Sequence, residues 1–339
     1  MLFLVYKLTL ITVILLVSLG IAMYATLLER KFAGFLQDRY GPDRAGKWGL
    51  LQPLADGGKL FFKEEYMPNT ADKFLYILGP CLTMLVALLT SAVIPWGPPL
   101  VIGGVEYTLQ VANLNVGVLY VFAIASMGVW GIMIGGWASN NKYSLMGAIR
   151  ASSQMISYEL AMGLSIAALI MMMGSVSLNE IVAQQQGWHW NVIYQPIGFL
   201  IFFICALAET NRHPFDLPEC ETELIGGYHT EYSSMKLGFY LFAEYINMFV
   251  SSAVLATLYF GGYHFPFIGR LGLSPNVAAI LGMVILFAKI IGFILLFMWI
   301  RWTLPRFRYD QLMRLGWKIL LPLALLNLAV TGIFILLKG

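Results

Sequence analysis

The segment 209–234, ETNRHPFDLPECETELIGGYHTEYSS, holds six of the chain's eighteen carboxylates: Glu209, Asp216, Glu219, Glu221, Glu223 and Glu231. Three of them alternate at 219, 221 and 223, after an N-R-H-P-F-D turn. Further ionisable groups stand inside or at the ends of long apolar runs: Glu29, Glu159, Glu244 and Lys289. Charge at membrane depth is costly and marks function by default. Carboxylates gathered in a low dielectric cannot all be ionised at once. Such a row can hold and pass protons, and it responds to any charge that appears nearby.

Other chemistries find no residues here. Cys81, Cys205 and Cys220 form neither a disulfide framework nor a metal-ligand spacing. His189, His213, His229 and His264 are scattered, so no metal site is expected. Gly57-Gly58-Lys59 is not a phosphate loop, because Pro53 stands where that motif needs glycine. There is no nucleophile–base set, dinucleotide glycine pattern or haem-type histidine pair. Any redox chemistry must use cofactors held by other chains, and no nucleic-acid partner is expected.

The elements that must position the carboxylates follow from composition. Of 339 residues, 59% are hydrophobic and 12% charged, against roughly 25% charged in soluble domains. The apolar runs are long and unbroken, which favours helices over a barrel of alternating strands. The expectation is an all-α polytopic membrane protein, one transmembrane domain over 1–339, with eight spans near 3–27, 74–95, 116–138, 154–174, 192–209, 236–260, 278–300 and 318–337. The N-terminal run ends in Glu29-Arg30-Lys31 and reads as a retained helix.

The links 28–73, 139–153, 210–235 and 301–317, with adjoining helix ends, carry seventeen basic residues. The links 96–115, 175–191 and 261–277 carry only Arg270. This asymmetry puts the rich links in the cytoplasm and both termini outside it. In the link 28–73, GLLQPLADGGKLFFKEE (49–65) mixes Leu50, Leu51, Leu54, Phe61 and Phe62 with Asp56, Lys59, Lys63 and Glu64. That pattern predicts an amphipathic helix lying in the interface. The acidic loop 209–235 lies on the same side. On this topology Glu29, Glu159, Glu209 and Glu244 all occupy the inner half, and Lys289 sits at the middle of the seventh span. The bland alternative is that each glutamate is neutral or paired, with Lys289 or Arg301 as partner, and only holds helices together.

Several runs carry a family resemblance: LLERKFAGFLQDRYGPDRAG (27–46), GLLQPLADGGKLFFKE (49–64), GWASNNKYSLMGAIRASSQMISYE (136–159), AETNRHPFDLPECETELIGGYHTEYSSMKLGFYLFAEY (208–245) and WIRWTLPRFRYDQLMRLGWK (299–318). They closely resemble the quinone-site membrane subunit of respiratory complex I, known as the H subunit of NADH-quinone oxidoreductase in bacteria and as NADH dehydrogenase subunit 1 in mitochondria. The resemblance covers essentially the whole chain. It implies eight helices plus the interfacial helix, in a bacterial inner membrane. It also implies a chamber through which a quinone enters from the lipid, bordered by Arg30, Phe35, Arg39 and Asp56. Glu159, Glu209, Asp216, Glu219, Glu221, Glu223 and Glu244 would form an acidic path toward proton-pumping subunits, with Tyr158 beside Glu159 and Lys289 matching a mid-helix lysine of the family. Quinone would be the substrate. FMN and iron–sulfur clusters would belong to partner subunits. Those partners include the soluble quinone-site and terminal iron–sulfur subunits, and small membrane subunits next to antiporter-like ones. Cys220 stands where the family usually has a small residue.

Two alternatives remain open at this level. One is the corresponding subunit of a membrane-bound hydrogenase or ferredoxin-dependent complex. The other is a stand-alone ion transporter, for which no internal repeat is visible.

Overall fold

The computed structural model describes residues 2–216, 225–266, 272 and 274–338. The alternate glutamates 219, 221 and 223, with Cys220, lie outside the described residues, as does Arg270.

The helices are α1 (Leu2–Leu36), α2 (Gln52–Phe62), α3 (Lys73–Thr90), α4 (Gly117–Ala138), α5 (Lys142–Met173), α6 (Leu178–Gln184), α7 (Asn191–Tyr194), α8 (Pro196–Glu209), α9 (Ser234–Tyr259), α10 (Pro275–Thr303), α11 (Tyr309–Arg314) and α12 (Leu321–Lys338). A π-helical stretch, Leu315–Leu320, joins the last two. Among the described residues the only sheet is a hairpin, Leu100–Ile102 against Val105–Tyr107, turned by Gly103 and Gly104 at positive φ.

Among the described residues, seven helices are long and apolar enough to cross a membrane. The expected span 192–209 instead divides into α7 and the 14-residue α8. Pro196 offers no backbone N–H and opens α8, with Gln195 leaving helical geometry just before it (φ −129°, ψ 57°). A 14-residue helix is ~21 Å long, short of the ~30 Å hydrocarbon core.

Other helices run further than apolarity alone marks. α5 starts at Lys142, twelve residues before the expected 154, because Asn141 caps it by accepting from the Tyr143 N–H at 2.9 Å. α1 continues to Leu36, beyond the apolar run. The helix expected within 49–65 is α2: Pro53 stands in its first turn, Leu54, Phe61 and Phe62 are exposed, and the helix rests on α1 and α9.

α5 is the centre of one half. Its buried stripe, Gly147, Ala151, Gln154, Tyr158, Ala161, Ser165 and Leu169, recurs every three or four residues and meets α4, α8 and α12. α9 is the centre of the other, meeting α1, α3 and α10. The halves join where α3 and α4 nearly touch. A side chain at Gly79 would come within 2.8 Å of the Gly135 Cα, so only glycine fits. Links at opposite ends are separately tied. At the basic end the Asp72 N–H donates to the Ala138 carbonyl, and the Asn141 amide to Glu231. At the other end the Gly261 N–H donates to Gln185, and the Asn276 amide to the Val101 carbonyl.

Candidate functional site

The structure sorts the ionisable groups into three sets. The first is neutralised. Glu29, near the basic end of α1, is buried and accepts from Arg212 at 2.5 Å and from the Tyr245 hydroxyl at 3.0 Å. Arg301 of α10 pairs with its other oxygen. The Arg212 guanidinium also lies 3.8 Å from the Tyr245 ring centre. Burial opposes the Arg212 charge, but Tyr245, Glu29 and Glu244 outweigh it and raise its pKa. One carboxylate thereby fastens α1, α9, α10 and the segment after α8. Arg301 is the partner the structural alternative named; Arg212 was not anticipated. Asp216 is likewise paired: its Oδ2 accepts from Arg306 at 3.0 Å and lies 3.1 Å from His213 Nε2. The Phe307 N–H donates to the Pro214 carbonyl beside it.

The second set surrounds internal space. Glu209 ends α8 and lines three adjoining cavities of about 30, 10 and 20 Å³. Glu159 of α5 shares one of them, and Glu244 of α9 shares another. Met155, Met162 and Asn247 each line two, so the cavities neighbour one another. A volume of ~10–15 Å³ holds one water. Among the described residues, neither Glu159 nor Glu209 forms an ion pair with a basic side chain. Glu244 Oε1 accepts from the Tyr228 hydroxyl at 3.1 Å. The turn after Glu209 is held by Gln154, whose amide donates to the Ala208 and Phe215 carbonyls at 2.8 and 2.9 Å. Gln154, Tyr228 and Asn247 were missed by sequence reasoning. Gln154 alone left a signal, being an amide on the buried stripe of α5.

The third set stands apart. Tyr158 follows a different helical direction from its neighbour Glu159. Its hydroxyl donates to the Leu312 carbonyl at 3.0 Å, and its ring meets Phe215 edge-on. Lys289 donates to the carbonyls of Phe260, Gly262 and His264, each at 2.7 Å, at the end of the bundle remote from the acidic loop. It lies 5.2 Å from the Trp190 ring centre. The structure does not place Tyr158 or Lys289 on the cavities. Near Lys289, burial and then the lysine's own charge lower the His264 pKa.

Of the residues expected to border a quinone chamber, the structure joins two, Arg30 of α1 and Asp56 of α2, at the basic end. Arg30 pairs with Asp56 at 2.6 Å, and Gln52 also donates to Asp56. Phe35 is 82% exposed, and Arg39 donates to Gln37. Among the described residues, no three His, Cys, Asp or Glu side chains converge as metal ligands.

The fold and site define a polytopic helical membrane protein with a carboxylate cluster around internal cavities at one end of its bundle. Residues 8–332 match the family described as NADH dehydrogenase. The chain is 64% identical to the first H subunit of the NADH-quinone oxidoreductase of Cytophaga hutchinsonii, over 99% of this chain and 98% of that one. It is 63% identical to the corresponding NADH-quinone oxidoreductase subunit of Flavobacterium psychrophilum, over 99% and 98%. For the second H subunit of Syntrophobacter fumaroxidans the identity is 50%, over 97% and 96%. The chain belongs to the H-subunit family of NADH-quinone oxidoreductase, as its motifs implied, and is a membrane subunit of that oxidoreductase complex.

Proposed function

We propose that this chain forms the chamber through which a quinone reaches its reduction site, and the first stretch of the acidic path that couples that reduction to proton pumping. The observation that carries the reading is Glu209, which lines three neighbouring cavities and shares one with Glu159 and another with Glu244. Three carboxylates with room for water between them can pass a proton. Two paired groups border this row. The pair of Glu29 and Arg212 leads toward the chamber residues Arg30, Phe35, Arg39 and Asp56, and the pair of Arg306 and Asp216 anchors the acidic loop. Glu219, Glu221 and Glu223 complete the path in this reading.

Arg212 is the joint between the two regions. It holds Glu29 and also feels the charge of Glu244. A charge that develops in the chamber during quinone reduction pulls on Glu29 and Arg212, and so alters the field at Glu244. Coupling requires that the two states of the row differ in their interaction with the quinone species.

The chain is read as eight passes, α8 with α7 making the shorter one, in a bacterial inner membrane with both termini outside the cytoplasm. α2 lies in the interface with Leu54, Phe61 and Phe62 toward lipid. Its partners are the soluble subunits that supply the terminal iron–sulfur cluster and bind the quinone headgroup, and small membrane subunits next to the antiporter-like ones. FMN and the clusters reside in partner chains. In the assembled complex, Glu209→Gln is expected to lower quinone reductase activity and proton pumping together. Wild-type turnover with a wild-type proton ratio would overturn the reading.

A further inference from the structure

Four tyrosines, Tyr76, Tyr228, Tyr232 and Tyr240, form a buried aromatic cluster where the C-terminal part of the acidic loop meets α3, α4 and α9. Three of the hydroxyls bond main chain. Tyr76 donates to the Glu231 carbonyl, Tyr232 to the Tyr76 and Gly135 carbonyls, and Tyr240 to the Gly131 carbonyl. The fourth, that of Tyr228, meets the carboxylate of Glu244 at 3.1 Å.

Tyr228 is also set with little freedom. It is 2% exposed, although it lies in a single 3₁₀ turn, Gly227–His229. Ser144 of α5 donates to its carbonyl at 2.7 Å. A side chain at Gly147 would reach its backbone nitrogen at 2.7 Å, so α5 presents bare backbone to it. Its ring packs edge-on against Tyr240, centres 5.1 Å apart. In the sequence it follows closely on Glu223, the last of the alternate glutamates. It lines the same cavity as Glu209, Asn211, Glu244 and Asn247.

We propose that Tyr228 is a positioning residue, linking the acidic loop to the intramembrane row by holding Glu244 toward the cavity it shares with Glu209. This rests on the proposed proton path. Glu244 is faced by Tyr228 from the loop, Glu209 from α8, Arg212 from the segment after α8 and Tyr240 from its own helix. The Tyr228 hydroxyl is the group that the stretch after the alternate glutamates brings to the Glu244 carboxylate. A displacement of that stretch therefore reaches the Glu244 carboxyl through this hydrogen bond.

The test is Tyr228→Phe in the assembled, reconstituted complex, which keeps the ring and removes the hydroxyl. Electron transfer from NADH to a hydrophilic acceptor and subunit content should be unchanged. Proton-coupled quinone reduction should fall about tenfold, the scale of one hydrogen bond to a charged group. The carboxyl band of Glu244 in redox-difference infrared spectra, identified by its loss in Glu244→Gln, should shift. Tyr232→Phe, equally buried but bonded to main chain, should move neither readout. If it moves both as far, the effect is packing and the proposal falls. If Tyr228→Phe does not assemble, Glu244→Asp draws the carboxylate back from the hydroxyl and should reproduce the loss. A wild-type rate in that variant overturns the proposal. A wild-type rate and unmoved band in Tyr228→Phe, with Glu244→Gln impaired, overturn the proposal and leave the proton path standing. A wild-type Glu244→Gln overturns the path itself.

Discussion

Arg212 donates to Glu29 at 2.5 Å across 183 residues of sequence, and both side chains are buried. The pair joins the first helix to the segment that follows α8, and Arg301 adds α10 to the same carboxylate. Removing Glu29 leaves the buried Arg212 without its ion-pair partner in a low dielectric. Glu29→Gln should therefore destabilise the complex by ~3–5 kcal/mol. Thermal inactivation of the detergent-solubilised complex reads this directly. An unchanged profile would mean that the pair contributes no net stability.

Glu209 shares one cavity with Glu159 and a neighbouring one with Glu244, so replacements in this row should not act independently. Glu159→Gln and Glu244→Gln should each lower quinone reductase activity and pumping. The double variant should lose less than the product of the two single losses, as groups acting as a unit do. Multiplying losses would indicate separate roles.

Lys289 donates to three backbone carbonyls at the end of the bundle remote from Glu209. Lys289→Met leaves those carbonyls without their charged donor, at a cost of at least ~3 kcal/mol. Amide hydrogen exchange around residues 261–264 should quicken before exchange at the basic end does. Uniform quickening over the whole chain would argue against a local clamp.

His264 adds a pH dependence at that same end. Burial, then Lys289, lower its pKa, so the fold favours the neutral ring. The unfolded chain takes up a proton near pH ~6.5, whereas the folded one does so only at lower pH. Its contribution to stability is therefore complete above pH ~6.5 and is lost as the pH falls through the folded value. Melting temperatures recorded from about pH 8 to about pH 5 should drop on the acid side, and His264→Gln should flatten that drop.

How far the sequence could be read depended on the kind of interaction. Apolar runs located the long helices, because burial in lipid is written residue by residue. The pattern around Pro53 and Phe62 likewise marked α2. Helix ends were less legible. The α5 start at Lys142 depends on an Asn141 cap among polar residues, and the division of 192–209 depends on Pro196. Pairings were the least legible. Glu29, Glu159, Glu209 and Glu244 look alike in the sequence, yet Glu29 is locked by two arginines while Glu159 and Glu209 line open space. That distinction arises only when segments 183 residues apart meet. Tyr228 likewise looks like any loop aromatic until α5 and α9 close around it.

The size of the cavities bears on which ion this end of the protein can handle. Volumes of about 10 to 30 Å³ admit one or two waters each. A sodium ion with its shell of several waters exceeds these volumes, while the oxygens of Glu159, Glu209, Glu244 and Asn247 on the walls suit one or two waters. A proton needs no such shell and can be handed between a carboxyl group and a single water. On the proposed path, the space around Glu209 therefore has the dimensions for a water-relayed proton and not for a hydrated metal cation.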